Sequence, residues 1–134
     1  MSYVVRAFPL IRPVAELHAF LSELRDARRE DTDRFYRQYG ITHESAYLQE
    51  TASGKILIVV TVVEDRHEAA PRYQAASDEF QSWFKAQVLY LSGVDPNVTP
   101  LGPPTSEVFS WPPASSVGRA EPPDRATSQE TPSK

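Results

Sequence analysis

The chain has no cysteine. Disulfides, thiolate nucleophiles and cysteine-ligated zinc or iron–sulfur centres are therefore excluded. Histidine is scarce too. His18, His43 and His67 lie far apart, and none has a partner at ligand spacing. The sequence contains no Gly-rich phosphate loop, Gly-x-Ser-x-Gly elbow or His-Glu-x-x-His pair. Asp31-x-Asp33 lacks the rest of a calcium loop. No metal and no cofactor is expected from these residues. The single asparagine, Asn97, lies in the loop after the last helical stripe.

Excess positive charge is also missing. Net charge is -4, which argues against nucleic-acid binding through a basic surface. Arg25, Arg28, Arg29, Arg34 and Arg37 are interleaved with Asp26, Glu30, Asp31 and Asp33, the pattern of a solvated helix face. No apolar run approaches the length that spans a bilayer, and no basic region followed by an apolar core opens the chain. The expectation is a soluble cytoplasmic protein without a membrane or nucleic-acid partner. With 134 residues, one core-forming domain is the natural count.

Against these absences stands one strong feature, Lys55-Ile-Leu-Ile-Val-Val-Thr-Val-Val63. Seven of its nine residues are Val, Ile or Leu. A strand with one wet face alternates, so this run predicts a strand buried on both faces. Tyr3–Leu10 predicts another, with Val5 and Ala7 on one face, Val4 and Phe8 on the other, and Arg6 as the exception. Thr42–Thr51 alternates properly: Ala46 and Leu48 share a face, and Ser45, Tyr47 and Gln49 share the opposite one. Ala52-Ser53-Gly54 then makes a hairpin with the long apolar run.

Two helical stripes separate the strands. Pro13 suits a first helical turn, and Val14, Leu17, Leu21 and Leu24 follow at helical spacing. The stripe fails at Arg28 and Asp31 and resumes at Phe35 and Tyr39, before a stop at Gly40. A continuous helix would be about 40 Å long against a strand of about 27 Å, so it should overhang the sheet or break near Arg28–Asp33. Pro71 opens the second stripe, Tyr73, Ala76, Phe80, Phe84, Val88 and Leu91, read as one helix capped by Gly93. Ser106–Trp111 is read as a last strand. From Pro112 the chain is rich in Pro, Ser and Thr, with five prolines in 23 residues. Such a composition cannot offset the entropy of ordering, so residues 112–134 are expected to be a disordered tail.

The order strand, helix, strand, strand, helix, strand is that of a ferredoxin-like α+β fold. It implies a four-stranded antiparallel sheet with two helices on one face, over residues 1–111. Strands one and three would be central. The face away from the helices would then carry a large apolar patch, which a second copy would cover.

In element order, in its doubly apolar central strands and in the helix Ser77-Asp-Glu-Phe-Gln-Ser-Trp-Phe-Lys85, the chain resembles the dimeric α+β-barrel superfamily. The nearest likeness is to small bacterial members of unknown function. The resemblance implies a homodimer in which two sheets close into a barrel, with pockets between each sheet and its helices. It also implies two functional expectations. One is a protein that binds a small apolar molecule. The alternative is a cofactor-independent monooxygenase or isomerase acting on a small aromatic or polyketide-like substrate. Candidate ligand-binding residues are Arg6, His43, Tyr47, Trp83 and Tyr90. Arg6 is a charge on a strand expected to be central, where it would pair with Glu44, Glu50 or Glu107. His43 would stand at a pocket rim. Tyr36, Tyr47, Trp83 and Tyr90 are aromatics left over from the simple stripes, available to line a pocket or supply dimer contacts.

Overall fold

The apolar run forms the middle strand of a three-stranded antiparallel sheet in the computed structural model, which describes residues 2–64 and 69–113. The elements are β1 (Ser2–Leu10), α1 (Val14–Arg25), α2 (Arg29–Gln38), β2 (Ile41–Thr51), β3 (Gly54–Val63), α3 (Ala69–Ala75) and α4 (Glu79–Ser92). The strand order is β1-β3-β2, so the class is α+β. The chain divides into two units, residues 1–104 and 105–134. His67 lies outside the described residues, as do residues 114–134 and so nearly all of the expected tail.

Alternation along each strand sorts the two faces of the sheet. Across the ladder, Val4, Thr61 and Glu44 form one row, and Arg6, Val59 and Ala46 the next. These rows, with Leu57 and Val63, face the helices, where Leu10, Ile41 and Leu57 pack against the core cluster. The rows Tyr3–Val62–His43, Val5–Val60–Ser45, Ala7–Ile58–Tyr47 and Pro9–Ile56–Gln49 lie on the other face. The two apolar sets of β3 are thereby told apart, which the run itself could not do.

Of the two outcomes its length allowed, overhang or a break near Arg28–Asp33, the long first helix breaks, slightly earlier than expected. α1 ends at Arg25, and after the pivot at Asp26–Arg28 α2 begins at Arg29. Pro13 stands just before the first helical residue, in an extended conformation. α2 is mostly charged and buries only Phe35, but the pivot brings that ring onto the core. Phe35 meets Tyr73, Phe80 and Phe84 with centroids 5.8, 5.5 and 4.8 Å apart. Leu17, Phe20, Leu24, Tyr39 and Leu91 complete the buried cluster.

Two expectations need correction. The 71–92 stripe is not one helix. α3 ends at Ala75, and Asp78 caps α4, its Oδ1 accepting from the Gln81 N–H at 3.0 Å. The buried Lys85 ammonium holds the interruption, donating to the carbonyls of Gln74 (3.0 Å) and Ala76 (2.7 Å) and to Asn97 Oδ1 (3.1 Å). Carbonyls orphaned at a helix end thus gain a charged donor.

The second correction is to the sheet, which has three strands and not four. Ser106–Trp111 has no strand geometry. Its pattern is poor, because Val108 and Phe109 are adjacent and would point to opposite faces. Prolines 103, 104, 112 and 113 bracket it and supply no N–H to a ladder. β1 is therefore a border strand of this sheet, not a central one, with an isolated bridge from Arg6 to Pro104. No helix among the described residues is long and apolar enough to cross a membrane.

Candidate functional site: an apolar cavity with a buried carboxyl

The helices do not fill the space above the sheet. A cavity of about 200 Å3 remains between the inner face of the sheet and α1, α2, α3 and α4. Leu57, Val59, Phe84 and Val88 line it and are only half-buried for that reason. No large side chain among the described residues is fully enclosed. Packed interiors leave few voids larger than a water molecule, so this volume departs from an ordinary core.

The wall is almost wholly apolar, and its polar groups are few. Glu44 is the most telling. It sits on β2 beside Ala46 in the inward set, opposite Thr61 of β3. Tyr36 of α2 donates to Glu44 Oε1 at 2.5 Å, and Thr61 donates to Oε2 at 2.8 Å. Burial pushes the Glu44 carboxyl above the usual carboxylate range. The two hydrogen bonds and the charge of His43 pull it back without cancelling that effect. Burial likewise raises the phenols of Tyr36 and Tyr73, and the neighbouring Glu44 charge adds to both shifts. Tyr39 also lines the cavity, and its hydroxyl donates to Gln81 at 2.6 Å.

Of the five residues expected at a ligand site, only Arg6 lines this cavity. Its guanidinium reaches the Val5 carbonyl at 3.3 Å. Arg6 was expected to pair with Glu44, Glu50 or Glu107; of these, Glu44 accepts from Tyr36 and Thr61. His43 and Tyr47 have the opposite parity on β2 and face away from the helices. His43 is exposed and hydrogen-bonded to Ser45 at 2.9 Å; Tyr47 is exposed beside Ile58. Trp83 packs on Phe20 and Phe80, with the Arg28 guanidinium 4.1 Å from its ring centroid. Arg28 also bridges Glu23 and Glu79, so this cluster ties α1, the pivot and α4 together. Tyr90 is exposed, with Arg12 4.1 Å over its ring.

Glu44 and Thr61 were not among the expected site residues; Tyr36 was read only as one of four surplus aromatics able to line a pocket, and it lines this one. A signal for Glu44 existed, since it shares the parity of Ala46 and Leu48, the apolar face of β2. A carboxylate on a core-facing position is rare enough to mark a site. Among the described residues no group of acidic or histidine side chains could hold a metal ion. Comparison with protein-family models, curated proteins and solved structures found no match.

Proposed function

We propose that the chain acts as a homodimer whose subunits each hold a small apolar molecule between sheet and helices. The cavity carries this reading. Its volume exceeds the ~150 Å3 that suffices for benzene in an engineered core, and its wall offers apolar side chains with a few polar groups, the usual make-up of a ligand site.

The ferredoxin-like arrangement is supported by the strand order. β1 and β2 are joined through helices and have β3 between them, as in a split βαβ unit. A fourth strand is not part of this proposal.

The second copy is argued from the outer face. Its four ladder rows, from Tyr3–Val62–His43 to Pro9–Ile56–Gln49, contain no Asp, Glu, Lys or Arg. The whole chain is 24% charged, so a solvated face of twelve positions should carry about three charges. Val5, Ala7, Ile56, Ile58 and Val60 form the apolar centre, and β2 supplies the polar rim. That anatomy suits two sheets packed face to face.

Both parts are testable on the full chain. Millimolar toluene is expected to raise the unfolding midpoint, since a ligand at ten times its Kd adds about 1.4 kcal/mol. No shift at saturating toluene would remove the binding reading. Sedimentation should show a dimer that Val60→Asp converts to monomer. A wild-type monomer at micromolar concentration would end the dimer reading.

A further inference from the structure

Glu44 has spare capacity. Each carboxyl oxygen receives one hydroxyl, from Tyr36 or from Thr61, and each can accept a second donor. The side chain is half-buried, and a water-sized molecule can touch it from the cavity it faces. Its two donors come from different elements, α2 and β3, so the carboxyl is clamped and its free lone pairs have a defined direction.

We propose that Glu44 is the polar anchor of the cavity and that the ligand is an uncharged, ring-sized molecule bearing one hydroxyl group. The proposal rests on the binding function above and names the ligand class. Size follows from the volume: about 200 Å3 takes one ring with one or two small substituents. Charge follows from the surroundings. A second anion beside a buried carboxyl raises the energy of both. A cation would exchange its hydration for a wall that is almost wholly apolar. A hydroxyl meets neither obstacle. It donates to a Glu44 oxygen and completes a set of acceptors that the protein leaves half used.

Calorimetric titration of the full chain with toluene, p-cresol and 4-methylbenzoate tests this. The three probes share one ring and differ at the polar end. p-Cresol is expected to bind on the order of tenfold tighter than toluene, the contribution of one buried hydrogen bond. 4-Methylbenzoate should bind more weakly than either. In Glu44→Met the p-cresol preference should fall below about twofold, because the acceptor is gone. In Tyr36→Phe it should widen, because Oε1 loses its internal donor and the ligand hydroxyl replaces it. The second variant retains the ring of Tyr36, so it reports even if Glu44→Met does not fold.

Equal affinity of wild type for toluene and p-cresol would overturn the anchor and leave the apolar site standing. A p-cresol preference that survives Glu44→Met, or narrows in Tyr36→Phe, would also overturn it. Failure of both neutral probes to bind would remove the site and the anchor together.

Discussion

Filling the cavity should make the protein more stable, the opposite of what enlarging a core residue normally does. Val59 is the position to fill from. It projects from the middle of β3 toward the helices, flanked by Arg6 and Ala46. Val59→Phe adds four carbon atoms. At about 0.8 kcal/mol per buried carbon the transfer gain is at most about 3 kcal/mol. In a filled core, overpacking costs about 1–3 kcal/mol and the net effect is a loss. Here about 200 Å3 is open. Allowing for imperfect fit, a net gain of about 1–2 kcal/mol is expected. For a fold of this size that is about 5–10 °C in Tm. Urea unfolding should show a higher midpoint at unchanged slope, which isolates stability from a change in compactness. The same variant should no longer be stabilised by toluene. A midpoint lowered by 5 °C or more, with the toluene effect intact, would show that the space above Val59 is not the binding cavity.

Three further outcomes follow from individual contacts. The raised Glu44 pKa makes the folded state bind its proton more tightly than the unfolded chain does. The resulting stability is fully present below the ordinary glutamate value of about 4.3 and is lost as pH rises toward the folded value. In unfolding of wild type and Glu44→Gln compared from pH 4 to 8, the stability of wild type relative to the variant should fall as pH rises; a relative stability that rises with pH would reverse the assignment. Gly102 has φ +90°, and a Cβ there would fall on the Phe8 ring. Gly102→Ala is therefore expected to cost about 2–3 kcal/mol in urea unfolding, and a neutral result would show that Phe8 is free to move. Lys85→Met removes the donor from two backbone carbonyls and Asn97. A loss of about 3 kcal/mol is expected, and a loss below 1 kcal/mol would mean that water replaces the ammonium.

The elements that sequence reading recovers here are those decided by one physical demand. A nine-residue apolar run predicts a central strand, and β3 is the middle strand. A helix longer than its sheet must overhang or break, and α1 gives way to α2 at Asp26–Arg28. Errors arose where two local demands competed. The stripe from Tyr73 to Leu91 runs unbroken through Ser77-Asp78, so periodicity alone argues for one helix. The capping preference of Asp78 and the reach of Lys85 back to Gln74 and Ala76 decide for two. At Ser106–Trp111 β-propensity argued for a strand, and the bracketing prolines, which lack N–H donors, argued against it. Propensity is the weaker of the two because it depends on having a partner to pack against.

The candidate site was harder to read, and for a different reason. Alternation on β2 already separated Glu44 and Ala46 from His43, Ser45 and Tyr47. Residues that looked chemically able, His43 and Tyr47, were on the wrong parity, while the acid on the right parity passed for an ion-pair partner of Arg6. Its true partners come from elsewhere. Thr61 is set by the β2–β3 register, which the hairpin determines. Tyr36 is set by the pivot before α2, which rotates a polar helix until its one phenol points inward. The position of the break can be inferred from length, but the angle after it depends on how Phe35 packs among Tyr73, Phe80 and Phe84. The cavity is a step further removed. It is a shortfall in volume left when these rings have packed, and no residue encodes it alone. That is why the most specific chemical group in the wall, a carboxyl clamped by two hydroxyls, can be recognised as a site only once the empty space beside it is known.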